Sequence, residues 1–544
     1  MRRVFAELFV LCAVGAVLVT CQPAYAQQAP RFIQRSMSSP SGVLRRDVIR
    51  EQRVEIASPA MLGDADRSSV LQLDLFSDLS LRVVRSGLTR TARGMAWTGV
   101  VEGYPQSNAV FVVVNGELSA HLFLPFGFFT VEHESGAAYV VRQLDQTAWP
   151  EVPDAILPAA APMMPRMLVP QAAAADDGRT IDLMIAYTRD ALAGFGSVSR
   201  ANLAIALLVE ETNQALRNSG VSTALRLVYT GVVDYPETGS SAVDLTRLQA
   251  ANDGYLDGLH ALRDKYAADV VALITERITD AAGRAYVNRP STSTGGELGF
   301  LVVARAATAN GKTFAHEFGH TMGAMHDWYV ESSPGAFAYS HGFVSLTARV
   351  VDLMGYGDRC RSVGLVCPAL LQYSSPGVPW NGYAMGVKAG TSANCTPAVQ
   401  PQVECDADSV LTFSSMAPVI ARYRDSRTSA RAIQLTAGSS IGSPGGQYRL
   451  TYQPDGNVVL VDMRTRATVW STDTAGTTPG VLRMQDDGNF VLYDGAGMAR
   501  WASGTAGNPA AYLAVQDDGN VVIYRPDGEG VWNRFAETSY HPRE

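Results

Sequence analysis

His316-Glu317-Phe318-Gly319-His320-Thr321-Met322-Gly323-Ala324-Met325-His326 holds three of the eight histidines of the chain. His316 and His320 are four apart, so on a helix they project from one face, one turn apart. Two imidazoles so placed can reach a single zinc ion at roughly 2.0–2.1 Å each. Glu317 stands beside the first of them, where a carboxylate can accept the proton of an attacking water. Gly323 lets the helix end and the chain swing round at low steric cost. That turn brings His326 to the same metal from outside the helix. Asp327 follows, placed to orient a ligand or to anchor the turn. A bare pair of histidines arises easily on any helix surface. With histidine this scarce, the full string arises by accident in roughly one such chain in a hundred thousand.

Working outward, Asp352-Leu353-Met354-Gly355-Tyr356-Gly357 lies downstream, and three segments lie upstream. These are Ile181-Asp182-Leu183-Met184-Ile185-Ala186-Tyr187-Thr188, Glu211-Thr212-Asn213-Gln214-Ala215-Leu216 and Ala268-Asp269-Val270-Val271-Ala272-Leu273-Ile274. With them, the stretch from Thr180 to Arg424 resembles the reprolysin-like metzincins, especially the bacterial secreted peptidyl-Asp metalloendopeptidases. The resemblance implies an α+β, three-layer catalytic domain over residues 178–425. It also implies one catalytic Zn2+ held by His316, His320 and His326, with Glu317 as general base and Met354 as an apolar floor beneath the histidines. The implied reaction is hydrolysis of peptide bonds in protein and peptide substrates, with a preference for Asp after the scissile bond. Gly283-Arg284-Ala285-Tyr286-Val287 resembles the family's edge strand, along which an extended peptide pairs by backbone hydrogen bonds. Some metzincins carry a tyrosine two residues after the methionine that stabilises an oxyanion or binds zinc, and the reprolysin type lacks that role. Tyr356 thus has two readings, the second being core packing. Thr321 departs from the Asn that many relatives carry, at a position that is not a ligand. Ca2+ is left open as a second ion, with no residues assigned to it.

The chain has 544 residues, too many for one core, so several units are expected. A net charge of −8 without a basic block argues against nucleic acid as a partner. Arg2 and Arg3, an apolar run from Phe9 to Val19 and then Ala24-Tyr25-Ala26 read as a secretory signal peptide over residues 1–26. The run is short for a transmembrane segment, and no other stretch qualifies. A lipid-anchored form processed at Cys21, or a periplasmic one, is the alternative to a secreted protein. Removing the signal leaves Cys360, Cys367, Cys395 and Cys405. In an exported chain these read as disulfides, with the local pairs Cys360–Cys367 and Cys395–Cys405 favoured among three connectivities.

Residues 27–150 read as a β-rich unit, with alternating apolar and polar residues around Ala109-Val110-Phe111-Val112-Val113-Val114 and Ser119-Ala120-His121-Leu122-Phe123-Leu124. A Pro/Ala-rich linker with little to bury spans 151–177. A β-rich unit, a linker and then a peptidase is the layout of a propeptide and zymogen. Residues 27–359 contain no cysteine, so a propeptide thiolate cannot occupy the metal. Either a carboxylate replaces it or the propeptide blocks the cleft sterically. His121 and His133 could ligate, although lone histidines on strands are more often structural. Within the catalytic unit, Ala201–Arg217 has helical spacing and stops at Asn218-Ser219-Gly220. Leu225–Tyr229 and Val270–Ile274 read as buried strands. His341, outside the motif, is read as structural.

Beyond a second linker at 426–434, Gln453-x-Asp455-x-Asn457-x-Val459 recurs as Gln485-x-Asp487-x-Asn489-x-Val491-x-Tyr493. It recurs again as Gln516-x-Asp518-x-Asn520-x-Val522-x-Tyr524, with Trp470, Trp501 and Trp532 in step. Such a repeat implies symmetric β units around one core, with the tryptophans at its centre. Polar residues at every second position line one face of a strand and offer donors and acceptors to sugar hydroxyls. Residues 435–535 resemble the bulb-type mannose-binding lectins, which implies an all-β β-prism and mannose-type glycans as partners. The first copy has Val461 where Tyr belongs, which weakens its site. The competing reading is that Asp-Gly-Asn merely builds hairpin turns. The whole chain thus reads as a secreted, glycan-targeted zinc endopeptidase zymogen. The alternative is a carbohydrate-binding adhesin or toxin-like lectin with a vestigial peptidase domain, against which the intact Glu317 argues.

Overall fold

A computed structural model describes residues 29–535 except 36–44, 65, 92–93, 136–137, 147, 149–153, 158–179, 291–295, 392–404, 425–428, 431–432, 444–446, 510, 516–518 and 526–529. The signal-peptide reading, most of the first linker, Cys395, Gln516 and Asp518 lie outside the described residues.

The first unit is a closed barrel of nine strands running from Arg31–Arg35 to Ala138–Leu144. Arg31–Arg35 closes it, pairing antiparallel with Val48–Ile56 on one side and parallel with Val70–Phe76 on the other. Leu71, Leu73 and Leu75 sit two apart on one strand and all enter the barrel core. The alternation expected over Ala109–Val114 does not occur, because both faces of that strand are covered. Ala109, Phe111 and Val113 fill the barrel. Val110, Val112 and Val114 pack outside it on Leu203 and Leu207 of the next unit. A strand buried on both faces reads as a continuous apolar run.

The second unit is built on a six-stranded sheet in the order Ala155–Ile156, Gly283–Tyr286, Phe300–Ala304, Val270–Thr275, Thr180–Thr188, Ala224–Val233. Only the Gly283–Tyr286 pairing with Phe300–Ala304 is antiparallel. Val270, Ala272 and Ile274 face one core and Val271 and Leu273 the other, so this central strand is apolar throughout. The long helix Val198–Ser219 is capped by the Ser197 side chain and ends at Gly220, whose φ of 81° suits glycine. Its Ile205, Leu208 and Leu216 pack toward the sheet, and its Leu203 and Leu207 toward the barrel. Two corrections concern the first linker. Asp154 is buried rather than solvent-exposed, and Ala155–Ile156 adds a parallel strand to Gly283–Tyr286. Cys360 and Cys367 form a disulfide with a Cα separation of 6.1 Å, and Cys405 is also disulfide-bonded. Among the described residues no single helix is long and apolar enough to cross a membrane.

The third unit comprises three four-stranded sheets around Trp470, Trp501 and Trp532, whose ring centroids lie 5.6–5.9 Å apart in edge-to-face contact. Each sheet takes one short strand from the N-terminal approach. Ser429–Ala430 joins the sheet of the third repeat, Gln434–Thr436 that of the second and Ser440–Gly442 that of the first. The expected linker at 426–434 is thus partly strand. The expected polar row is corrected as well. Gln485, Asp487 and Asn489 lie in the hairpin turn between Pro479–Met484 and Phe490–Asp494, and only Tyr493 is on the strand. Gly488 at φ +87° shapes that turn.

Candidate metal centre

The helix Thr313–Thr321 begins where the Asn310 side chain accepts from the backbone N–H of Lys312 and Thr313, at 3.1 and 3.0 Å. A side chain at Gly319 would clash with Met354, which is fully buried against the helix between the two ligand positions. At Gly323, with φ +93°, the helix stops. The Met325 N–H then bonds to the Ser340 carbonyl at 2.7 Å, which turns the chain back and delivers His326.

The three imidazoles converge through their Nε2 atoms. Nε2 of His320 lies 3.1 Å from that of His316 and 3.2 Å from that of His326. Tetrahedral ligands at roughly 2.0–2.1 Å from zinc stand about 3.4 Å apart, close to these separations. The far ring nitrogens are fixed by backbone: Nδ1 of His316 faces the Leu353 carbonyl at 2.6 Å, and Nδ1 of His320 the Ala324 carbonyl at 2.9 Å. With Nδ1–H donated there, the Nε2 lone pairs point at each other and at the Asp154 carboxylate. Such a set of donors is repulsive unless a cation lies between them, so these residues fit a zinc ion. Burial holds His320 down to about 4, neutral as a ligand must be, while at His316 burial acts downward too but the Asp154 carboxylate outweighs it and raises the imidazole.

Asp154 completes the cluster. Its Oδ1 is 2.8 Å from Nε2 of His326, 3.2 Å from that of His320 and 3.4 Å from that of His316. Burial works to raise this carboxyl, but the three histidines outweigh it and hold it well below the ordinary carboxylate range. The Tyr356 hydroxyl lies 3.2 Å from both Asp154 Oδ2 and His326 Nε2, so Tyr356 reaches the cluster and is not simply core packing.

Glu317 is fully buried, and the polar group it meets is another carboxylate, Asp154, so among the described residues no hydrogen-bond donor reaches its oxygens. Burial, then the nearby Asp154 charge, pushes its carboxyl well above the ordinary value, as a proton acceptor and donor requires. The group rests on the backbone of the edge strand. A Cβ at Gly283 would fall 2.5 Å from Oε1 and 2.6 Å from Cγ of Glu317.

Surrounding residues lock these positions. Asp327 anchors the turn, accepting from the N–H groups of Tyr329 at 3.0 Å and Tyr356 at 2.8 Å. Asp352 Oδ1 accepts from Phe343 N–H and Met354 N–H at 3.0 and 3.1 Å, and burial pushes its carboxyl up to about 7. His341 stacks on Trp328 and holds the His326 carbonyl through Nδ1 at 2.8 Å, a structural role. Thr321 bonds back to the Phe318 carbonyl at 2.7 Å, away from the cluster. His121 pairs with buried Glu211 on the long helix and His133 packs on Tyr139, so neither approaches the metal ligands. Asp154, the close approach of Gly283 to Glu317 and the contacts of Asp352 escaped the sequence reading. A lone aspartate in a Pro/Ala-rich stretch carries no spacing signal, and the glycine opening the edge strand was the only available hint of close packing.

In the C-terminal unit the repeated polar residues are partly consumed by their own turns. Asn489 Oδ1 accepts from Thr505 N–H at 3.1 Å and Ser503 Oγ at 3.2 Å. Asn457 does the same for Thr474 and Thr472 in the first copy. Asp455 and Asp487 each accept from the N–H two residues on. Gln485 Nε2 donates to the Tyr493 hydroxyl at 2.9 Å, uniting turn and strand, while in the first copy Gln453 faces a strand with Val461 instead. In the third copy Asn520 directly precedes the strand Val521–Tyr524, and Tyr524 stacks on Tyr512.

Residues 178–352 match the model of the reprolysin-like metallopeptidase family M12B. A peptidyl-Asp metalloendopeptidase of Xanthomonas campestris pv. campestris is 26% identical over 71% of this chain and 94% of the relative. One from Stenotrophomonas maltophilia is 33% identical over 38% of this chain, an alignment that spans about half (48%) of that relative. The B-type lectin plumieribetin of Scorpaena plumieri is 36% identical over 12% of this chain and 57% of the relative. With the histidine cluster and the three-fold repeat in view, the chain carries a zinc metallopeptidase domain of the reprolysin-like family joined to a lectin-type domain.

Proposed function

We propose that this protein is a secreted zinc endopeptidase, made as a zymogen and concentrated on mannose-type glycans by its C-terminal unit. The observation that carries the peptidase reading is the three converging Nε2 atoms with Glu317 beside them, beneath an edge strand that can pair with an extended chain. His316, His320 and His326 would hold the ion. When bound, zinc supplies Lewis-acid polarisation of the scissile carbonyl and a lowered pKa for water. Glu317 takes a proton from the attacking water and returns it to the leaving amine, a task suited to a carboxyl raised by burial. The Tyr356 hydroxyl stands where it can donate to the oxygen that gains charge. The backbone of Gly283–Tyr286 aligns the substrate. The names of the peptidyl-Asp relatives support cleavage beside an aspartate.

The zymogen reading is supported by the barrel, which covers the outer face of the long helix and presses Phe123 and Phe128 against Gly311, just ahead of the metal helix. Export is supported by the signal-like N-terminus and the disulfide. The Gln485–Tyr493 pair and the exposed Asp487 support sugar binding in the second repeat, with tethering raising local concentration.

Casein zymography tests the peptidase. Clearing by the wild type should vanish in Glu317→Ala and after chelation. Clearing that survives both, or wild type that never clears, sinks it and, in the latter case, favours the adhesin reading. Retention of the full chain on a mannan column, with elution by free mannose, tests the lectin.

A further inference from the structure

We propose that Asp154 is the fourth metal ligand of the full-length chain, an anionic latch that occupies the position a substrate or water would take. The assignment rests on the peptidase reading of the histidine cluster. Its geometry is independent of any motif, because Asp154 is 166 residues from His320 and 172 from His326.

Two observations support the carboxylate as a ligand rather than a passing neighbour. Oδ1 caps the triangle of histidine nitrogens at 2.8–3.4 Å, on the side left open by three protein ligands. The side chain is only 10% exposed and its second oxygen meets the Tyr356 hydroxyl.

The main chain explains why this segment blocks the site without being a substrate. The Ala285 N–H donates to the Asp154 carbonyl at 3.4 Å, and the Val287 N–H donates to the Ile156 carbonyl at 3.0 Å. The Asp154 carbonyl is therefore turned toward the edge strand while the side chain faces the histidines. No peptide carbonyl of Asp154 is offered for attack. Ala155–Ile156 meanwhile occupies the hydrogen-bonding edge that a substrate needs. Cation and strand are thus blocked by three consecutive residues. Because the latch is held by coordination, the Tyr356 hydroxyl and backbone pairing, it is reversible and breaks no covalent bond.

The test uses the full-length chain in the Glu317→Ala background, which cannot digest itself, loaded with Co2+ in place of zinc. Adding Asp154→Ala or Asp154→Asn should change the visible absorption of the cobalt site and speed metal loss to a chelator by about tenfold or more. Asp154→Glu should recover part of both. Circular dichroism matching the parent establishes folding in each case. Identical cobalt spectra and release within twofold for the folded Ala and Asn variants overturn the assignment. With Glu317 intact, the uncleaved Asp154→Ala chain should hydrolyse a fluorogenic peptide that the uncleaved wild type ignores. A chain that hydrolyses no peptide in any form sinks the peptidase reading, while the cobalt spectra still decide the ligand.

Discussion

The metal centre and the C-terminal repeats both gather polar side chains at short, regular spacings, and the fold treats them in opposite ways. Around the metal, His316, His320, His326 and Glu317 are buried, the histidine Nε2 atoms facing one another and Asp154, and Glu317 being offered no hydrogen-bond donor among the described residues. In the repeats, Asn457, Asn489, Asp455 and Asp487 spend an oxygen on building the turn that carries them. Unsatisfied buried groups cost stability and mark a site that something else must complete. Satisfied turn groups stabilise the fold first and meet a ligand only with the atoms left over. A variant at the metal centre should accordingly change chemistry at little cost to folding, and a variant in a repeat turn should do the reverse.

The largest effect is expected at Gly283. Its replacement by Ala puts a methyl group 2.5 Å from Oε1 and 2.6 Å from Cγ of the buried Glu317, so that side chain must swing away and the general base is displaced. Peptidase kcat should fall about a hundredfold with thermal stability nearly unchanged. Unchanged kcat breaks the comparison at its strongest point. Next comes a pair within one repeat. Asn489→Ala strands the groups that meet its oxygen and should lower the stability of the C-terminal unit by about 1–3 kcal/mol in a denaturant melt. Tyr493→Val, which copies the first repeat, should leave stability within about 0.5 kcal/mol and weaken mannan binding. Equal destabilisation by the two would show that the turn and the sugar-binding atoms are not separable.

The smallest effect concerns Asp352, whose carboxyl is buried and raised to about 7. A carboxyl raised in the folded state binds more protons there than when unfolded, so its stabilising contribution is complete below about pH 4. It is lost as pH climbs through about 7. Asp352→Asn keeps the acceptor for Phe343 and Met354 and removes this dependence. Relative to wild type, its melting temperature should rise by a few degrees at pH 8 and not at pH 4. A difference independent of pH would place the effect elsewhere.

What could be read in advance follows from sequence distance. His316, His320 and His326 lie within eleven residues, so their convergence is mostly local geometry, a helix and the turn that ends it. The long helix declares itself by periodicity, the strand Val270–Thr275 by its unbroken apolar run, and the three tryptophans by repetition. Asp154 meets those histidines only through the tertiary fold, from a stretch whose composition suggests nothing to bury. The run Ala109–Val114 misleads for a related reason: its outer face is covered by another unit's helix, which no local pattern reveals. In the repeats the spacing of two was visible, but a hairpin turn and a strand produce it equally well, and glycine at 488 decides for the turn.

The three short strands that lead into the C-terminal unit have a mechanical consequence. If that unit grips a surface while flow or substrate pulls on the peptidase, the load enters at Ser429–Ala430. The first ladder it meets holds two residue pairs, Ser429 with Ala514 and Ala430 with Leu513. Behind it lie ladders of three pairs each, at Gln434–Thr436 and Ser440–Gly442, in two other sheets. Pulled from this end, the unit would yield in steps, giving up chain length one ladder at a time before the tryptophan triangle is disturbed.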